Sequence, residues 1–145
     1  METDPYGNFI LTGYNFGPAR HWARLGLLYL QEEVWNGERL LPRAFVEFVR
    51  TPAPAWDEPV YGGLFWVSPD RADGSRGRLY TVPPDTYYAN GAGYQRTYII
   101  PSRELVIVMK SHRAGDTLSP DRDERALRAV GLIVRAVDPT WSWNG

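Results

Sequence analysis

Between Ala19 and about Glu33 the apolar residues Ala19, Trp22, Ala23, Gly26, Leu30 and Val34 recur at three- and four-residue steps. That spacing is one face of an amphipathic helix. Gly17-Pro18 opens it, since proline is favoured where a first-turn N–H has no partner. Gly26 on the apolar face predicts close approach by a neighbouring element, and Asn36-Gly37 is a turn signal. A second, shorter helix is expected from Pro42 to about Arg50, with Phe45, Phe48 and Val49 as its buried stripe. Thr51-Pro52-Ala53-Pro54 ends it, because a residue before proline avoids the helical region.

Beyond a proline-punctuated connection, Tyr61 to Val67 reads as a strand interrupted by Gly62-Gly63, and Asp70 to Arg78 as the polar loop of a hairpin. Leu79 to Val82 is a candidate short strand. Gly93 to Ile100 and Glu104 to His112 read as two strands joined by a Pro101-Ser102-Arg103 turn. Asp121 to Val137 is a C-terminal helix, with Leu127, Val130, Val134 and Val137 at helical spacing and acidic residues at its N-terminus. Helices around an antiparallel sheet make an α+β class, expected over residues 1–145 as a single unit.

One strand fits poorly. Leu105-Val106-Ile107-Val108-Met109 is a continuous apolar run, the mark of a strand covered on both faces. It has one obvious sequential neighbour, and an apolar edge strand is an aggregation hazard. The expectation is a partial domain, its sheet completed by strands from elsewhere.

Composition narrows the function. The 145 residues carry 16 Lys and Arg against 17 Asp and Glu, without the basic excess of a dedicated nucleic-acid binder. No apolar run approaches the ~20 residues of a membrane span. The absence of Cys removes disulfides, thiolate catalysis and thiolate-ligated metals. Lys110 is the only lysine, so lysine chemistry has one candidate. His21 and His112 show no metal-ligand spacing, no cofactor is implied, and Ser111 and His112 as strand neighbours point to opposite faces. Asp121, Asp123 and Glu124 fit a solvated helix N-terminus.

No serine is followed three residues on by lysine, and there is no phosphate-binding loop or nucleophile elbow. The segment that stands out is Asn90-Gly91-Ala92-Gly93-Tyr94-Gln95. Its glycines suit a β-bulge or hairpin turn, and they also suit a strand start where a ligand approaches the backbone.

Several segments in order resemble the C-terminal part of the serine β-lactamase and penicillin-binding-protein-like hydrolases, nearest the class C-related esterases and amide hydrolases. Gly17 to Leu30 is similar to that family's Thr-Ala-Arg-Asp-x-Ala-Arg-x-Gly-Leu helix, and Val34 to Pro42 to the turn after it. Tyr61-Gly62 through Trp66 resembles a Tyr-Gly-x-x-x-Trp strand. Gly91 to Gln95, Ile100-Pro101-Ser102 and Leu105 to Val108 resemble the Gly-rich active-site strand, its turn and its partner strand.

The resemblance implies a β-lactamase/transpeptidase-like fold and an acyl-enzyme mechanism. Asn90, Gly91 and Ala92 would line the substrate, and Gly93, Tyr94 and Gln95 would form the active-site strand. The backbone N–H of Tyr94 or Gln95 would serve as oxyanion donor. The family's Ser-x-x-Lys nucleophile and its relay tyrosine precede the matched region, so the expected object is less than half of a catalytic domain, inactive alone. Its partners would be an N-terminal half and a small ester or amide substrate.

Three positions depart from the pattern. His21 stands where the family usually has Asp, and Tyr94 where Gly is common. Gly91-Ala92 offers no cation or hydroxyl for a β-lactam carboxylate, which favours an ester or linear amide. Two other readings need no catalysis: a carbohydrate- or peptide-binding module using Trp141 and Trp143, and an interaction fragment docking a partner along its open sheet edge.

Overall fold

The computed structural model describes residues 3–8, 16–32, 34–75, 77–111 and 120–143. The histidine His112 therefore lies outside the described residues. Three helices, α1 (Ala19–Leu30), α2 (Arg43–Arg50) and α3 (Pro120–Val137), accompany a two-stranded and a four-stranded sheet. The small sheet pairs β1 (Val34–Trp35) with β2 (Glu38–Arg39) around Asn36-Gly37, both residues at positive φ as a tight hairpin demands. The main sheet is antiparallel throughout, in the order β3 (Trp66–Val67), β4 (Tyr87–Gly91), β5 (Gln95–Ile100), β6 (Leu105–Met109). The α+β class is the one the sequence pattern predicts.

Alternation along the central strands divides the core in two. Tyr88, Tyr98, Ile100 and Ile107 meet Leu127, Val130 and Val134 of α3. On the opposite face Tyr87 and Ile99 join Val49, Phe65 and Val67, with Tyr29, Leu30 and Phe45 packed against them. Helix α1 crosses β5 and β6 on that second face. A Cβ on Gly26 would lie 2.6 Å from Val106 Cγ1 and 3.1 Å from Thr97 Cγ2, so a bare backbone sets the helix-to-sheet distance. Both faces of β5 are thereby buried, which the apolar sequence of its second half reflects.

Four local expectations need correction. The segment 61–67 is a tight turn: Gly62 N–H donates to Phe65 O, Tyr61 bridges Trp66, and only Trp66–Val67 pairs in the sheet. Leu79 to Val82 is a buried turn, because its polar groups bond to side chains and to α3. Leu79 N–H donates to Ser68 Oγ, Thr81 Oγ1 to Leu127 O, and Trp141 Nε1 to Thr81 O. In α2 the inward residues are Val46 and Val49, while Phe48 is 61% exposed and its ring covers the backbone at Gly63. The strand expected from Gly93 begins at Gln95, since Gly93 and Tyr94 have φ of 69° and 63° and belong to a turn.

Strand β6 lies at the edge of the sheet. Among the described residues its sole strand neighbour is β5, and only Ile107 of its five residues is buried. Val106 lies under Gly26 of α1 on one face and Ile107 packs toward α3 on the other, with Leu105 and Met109 against that cluster, so both faces are at least partly covered.

Candidate functional site

The six residues singled out from sequence form one continuous feature, the β4–β5 hairpin. Asn90 and Gly91 end β4, Ala92-Gly93-Tyr94 make the loop, and Gln95 opens β5 opposite Gly91. Asn90, Gly91 and Ala92 are exposed, Gly93 is buried, and Tyr94 and Gln95 are half-buried. Of the two readings of the glycines, the geometry is that of a hairpin turn. The loop closes through consecutive left-handed residues, and glycine supplies the first without steric cost.

The hairpin also has an open side. Strand β3 pairs only with Tyr87 and Tyr88, so Ala89, Asn90 and Gly91 have no strand beyond them among the described residues. A short length of extended backbone is therefore presented at the end of the sheet, next to exposed Ala92.

Beneath the hairpin sits a polar cluster on the α3 face. The buried Arg96 guanidinium donates from Nε to Asn90 Oδ1 at 2.9 Å and from Nη1 to the Tyr98 hydroxyl at 3.2 Å. Its Nη2 lies 2.7 Å from Asp123 Oδ1. The rings of Tyr94 and Tyr88 lie 5.1 and 5.8 Å from its centre, both within cation–π range. Burial pulls the guanidinium pKa down, but Tyr98 and Asp123 more than offset it and the net direction is up. Arg96 stays charged.

Two consequences follow for the residues above it. Asn90 spends its carbonyl oxygen on Arg96, leaving its amide nitrogen as the group it can present outward. Tyr94 lays its ring over Arg96, so the bulk at this position, where glycine is common in the resembling family, is directed onto the cluster. Burial pushes the Tyr88 hydroxyl up to about 12 and also raises Tyr98, so neither phenol is activated as a base.

On the other face the Gln95 amide nitrogen donates to Ser111 O, tying the hairpin to the chain beyond β6. Lys110 is exposed, with its ammonium 5.7 Å from the Trp22 ring centre. That places the lone lysine in a surface contact with α1. His21 is exposed in the first turn of α1.

The acidic cluster at the start of α3 is not simply solvated, as its position predicted. Asp123 holds Arg96, with Arg78 at 3.8 Å, and Glu124 accepts a 2.5 Å hydrogen bond from the Tyr80 hydroxyl. Arg96 and Asp123 were invisible as a pair because each has a sufficient local explanation, a strand residue and a helix-start acid. Trp141 and Trp143 are anchors: Trp141 bonds to Thr81 and carries Arg103 at 5.6 Å, and Trp143 carries Arg135 at 5.6 Å.

No family model matches the chain, and no curated protein matches it at a significant level. No described helix is long and apolar enough to cross a membrane.

Proposed function

We propose that the chain is the C-terminal portion of a β-lactamase-related serine hydrolase, acting on an ester or linear amide and contributing the Gly-rich wall of the site. The observation that carries this reading is the open edge of β4 at Ala89–Gly91, ending in the turn built by Gly93 and Tyr94. Extended backbone beside a glycine turn is what such a wall requires: main-chain groups that can align an acyl chain and hold a carbonyl oxygen.

The hairpin itself, Asn90 to Gln95, has Tyr94 as its one ionisable side chain. It supplies binding and alignment; the nucleophile belongs to the complementary half. There a serine Oγ attacks the carbonyl, the alcohol or amine departs with a proton, and water then hydrolyses the acyl-serine to the acid. In this proposal the backbone N–H of Tyr94 or Gln95, at the start of β5 opposite Gly91, is the oxyanion donor.

Complementation tests the reading. The 145-residue chain is mixed with a polypeptide carrying the Ser-x-x-Lys and Tyr-x-Asn segments of a β-lactamase-related esterase, and a chromogenic short-chain ester is assayed. Turnover in the mixture and in neither component supports the proposal. A complex without turnover, or no complex at all, overturns it.

A further inference from the structure

Three Asn-Gly pairs occur in the chain: Asn36-Gly37, Asn90-Gly91 and Asn144-Gly145, the last outside the described residues. Such a pair can modify itself, because glycine leaves its backbone nitrogen unhindered beside the asparagine carboxamide. The fold holds the two described pairs very differently. We propose that Asn36 is a site of spontaneous deamidation that opens the β1–β2 hairpin, while Asn90 is kept intact by the sheet. In the reaction the Gly37 nitrogen gives its proton to solvent base and attacks Asn36 Cγ. The new N–Cγ bond closes an imide ring as the Cγ–Nδ2 bond breaks and ammonia leaves with a proton from solvent. Water then adds to either imide carbonyl, giving aspartate or iso-aspartate at position 36. This inference goes beyond the hydrolase reading and stands without it.

Attack needs rotation about the asparagine Cα–C bond, so the firmness of the backbone decides which pair reacts. Asn36 and Gly37 are the exposed tip of a hairpin with two residues in each strand. A two-stranded ribbon this short is marginal in water. The Asn36 carboxamide bonds to no described residue, and a Cβ on Gly37 would meet nothing within 4 Å, so solvent reaches both reacting groups. At the other pair, Asn90 and Gly91 sit in the main ladder opposite Arg96 and Gln95, and Arg96 Nε holds Asn90 Oδ1 at 2.9 Å. That hydrogen bond draws electrons from the carboxamide and taken alone would favour attack. The restraint on rotation outweighs it: Arg96 is buried and tied to Asp123, so freeing Asn90 means opening the hairpin from the core. Iso-aspartate at position 36 would insert a methylene into the main chain of a two-residue turn, whose geometry sets the pairing of Val34 with Arg39.

Trypsin places the three pairs on separate peptides, Leu25–Arg39, Leu79–Arg96 and Ala136–Gly145. The 145-residue chain is aged at mildly alkaline pH in heavy-oxygen water, folded and in urea, and each peptide is followed by mass spectrometry. In the folded chain Asn36 should convert about tenfold or more faster than Asn90, as a frayed hairpin and a core-tied segment differ at least that much in opening. In urea the two rates should converge, because both pairs are then the same dipeptide without a fold. The folded chain carrying iso-aspartate at position 36 should show faster amide exchange across Val34–Arg39. An inert Asn36, equal rates in the folded chain, a ratio that survives in urea, or a hairpin unchanged by iso-aspartate overturns the proposal.

Discussion

Arg96 Nη2 lies 2.7 Å from Asp123 Oδ1, joining the interior of the sheet to the first turns of α3. Arg96 is 7% exposed at its side chain and Asp123 28%. Loss of the acid would leave a buried cation with one neutral acceptor on each side and no counter-charge.

Asp123→Ala should therefore destabilise the fold by about 2–3 kcal/mol, less than for a fully buried pair because Asp123 keeps some solvent. Replacing both residues by apolar ones of similar volume should recover much of that loss. Urea unfolding of the two singles and the double gives the coupling energy. Additive single effects would show that the ion pair is not what locks α3 to the hairpin.

Gly26→Ala offers a test in two backgrounds. Alanine is the better helix former by about 1 kcal/mol, but its methyl would lie 2.6 Å from Val106 Cγ1. Overpacking should win, for a net loss of about 1–2 kcal/mol. In a Val106→Ala background only the 3.1 Å approach to Thr97 Cγ2 remains, and the loss on Gly26→Ala should shrink markedly. Equal losses in both backgrounds would mean that α1 does not sit on β6 as described.

The parts of this fold legible in sequence are those where one periodicity acts alone. Helices α1 and α3 repeat their apolar residues at helical spacing, strands β5 and β6 show as short apolar runs on either side of a Pro-Ser-Arg turn, and the structure places all four within a few residues of expectation. Strand β4 was hidden because Pro83-Pro84 before it and Asn90-Gly91 at its end are loop signals, and its five residues are made a strand by pairing with β5. Phe48 misled because its size outweighs its position, whereas α2 turns two valines inward. The candidate site was found as a segment from its glycines. The Arg96 cluster below it was not, since contact between a strand and a distant helix leaves no mark in local spacing.

The buried phenols set an alkaline limit. Tyr88 is pushed up to about 12 by burial, and burial also raises Tyr98 against the opposing pull of Arg96. With both folded values above the ordinary value of about 10, their contribution is fully present below about pH 10 and is lost as pH rises through the folded values, for Tyr88 at about 12. Of the nine tyrosines, the last to ionise should do so together with unfolding. Tyrosinate absorbance followed alongside circular dichroism checks this. Full ionisation of every tyrosine while the helical signal persists would contradict the burial of this pair.

Gly93 should be sensitive to backbone conformation before it is sensitive to chemistry. Its φ of 69° lies where residues with a Cβ are strained, and the adjoining Tyr94 at 63° already bears that cost. Asparagine tolerates this region best, alanine should lose about 1 kcal/mol, and valine, branched at Cβ, about 2 kcal/mol. The ranking Asn, Ala, Val in urea midpoint is the signature of a left-handed turn. Valine therefore perturbs the fold as well as any site, so in a complemented hydrolase the informative variant is Gly93→Asn, which keeps the turn. Loss of turnover by Gly93→Asn at near-normal stability would mean that the space above Gly93 is used by substrate. Equal stability of all three variants would mean that the turn does not hold this conformation.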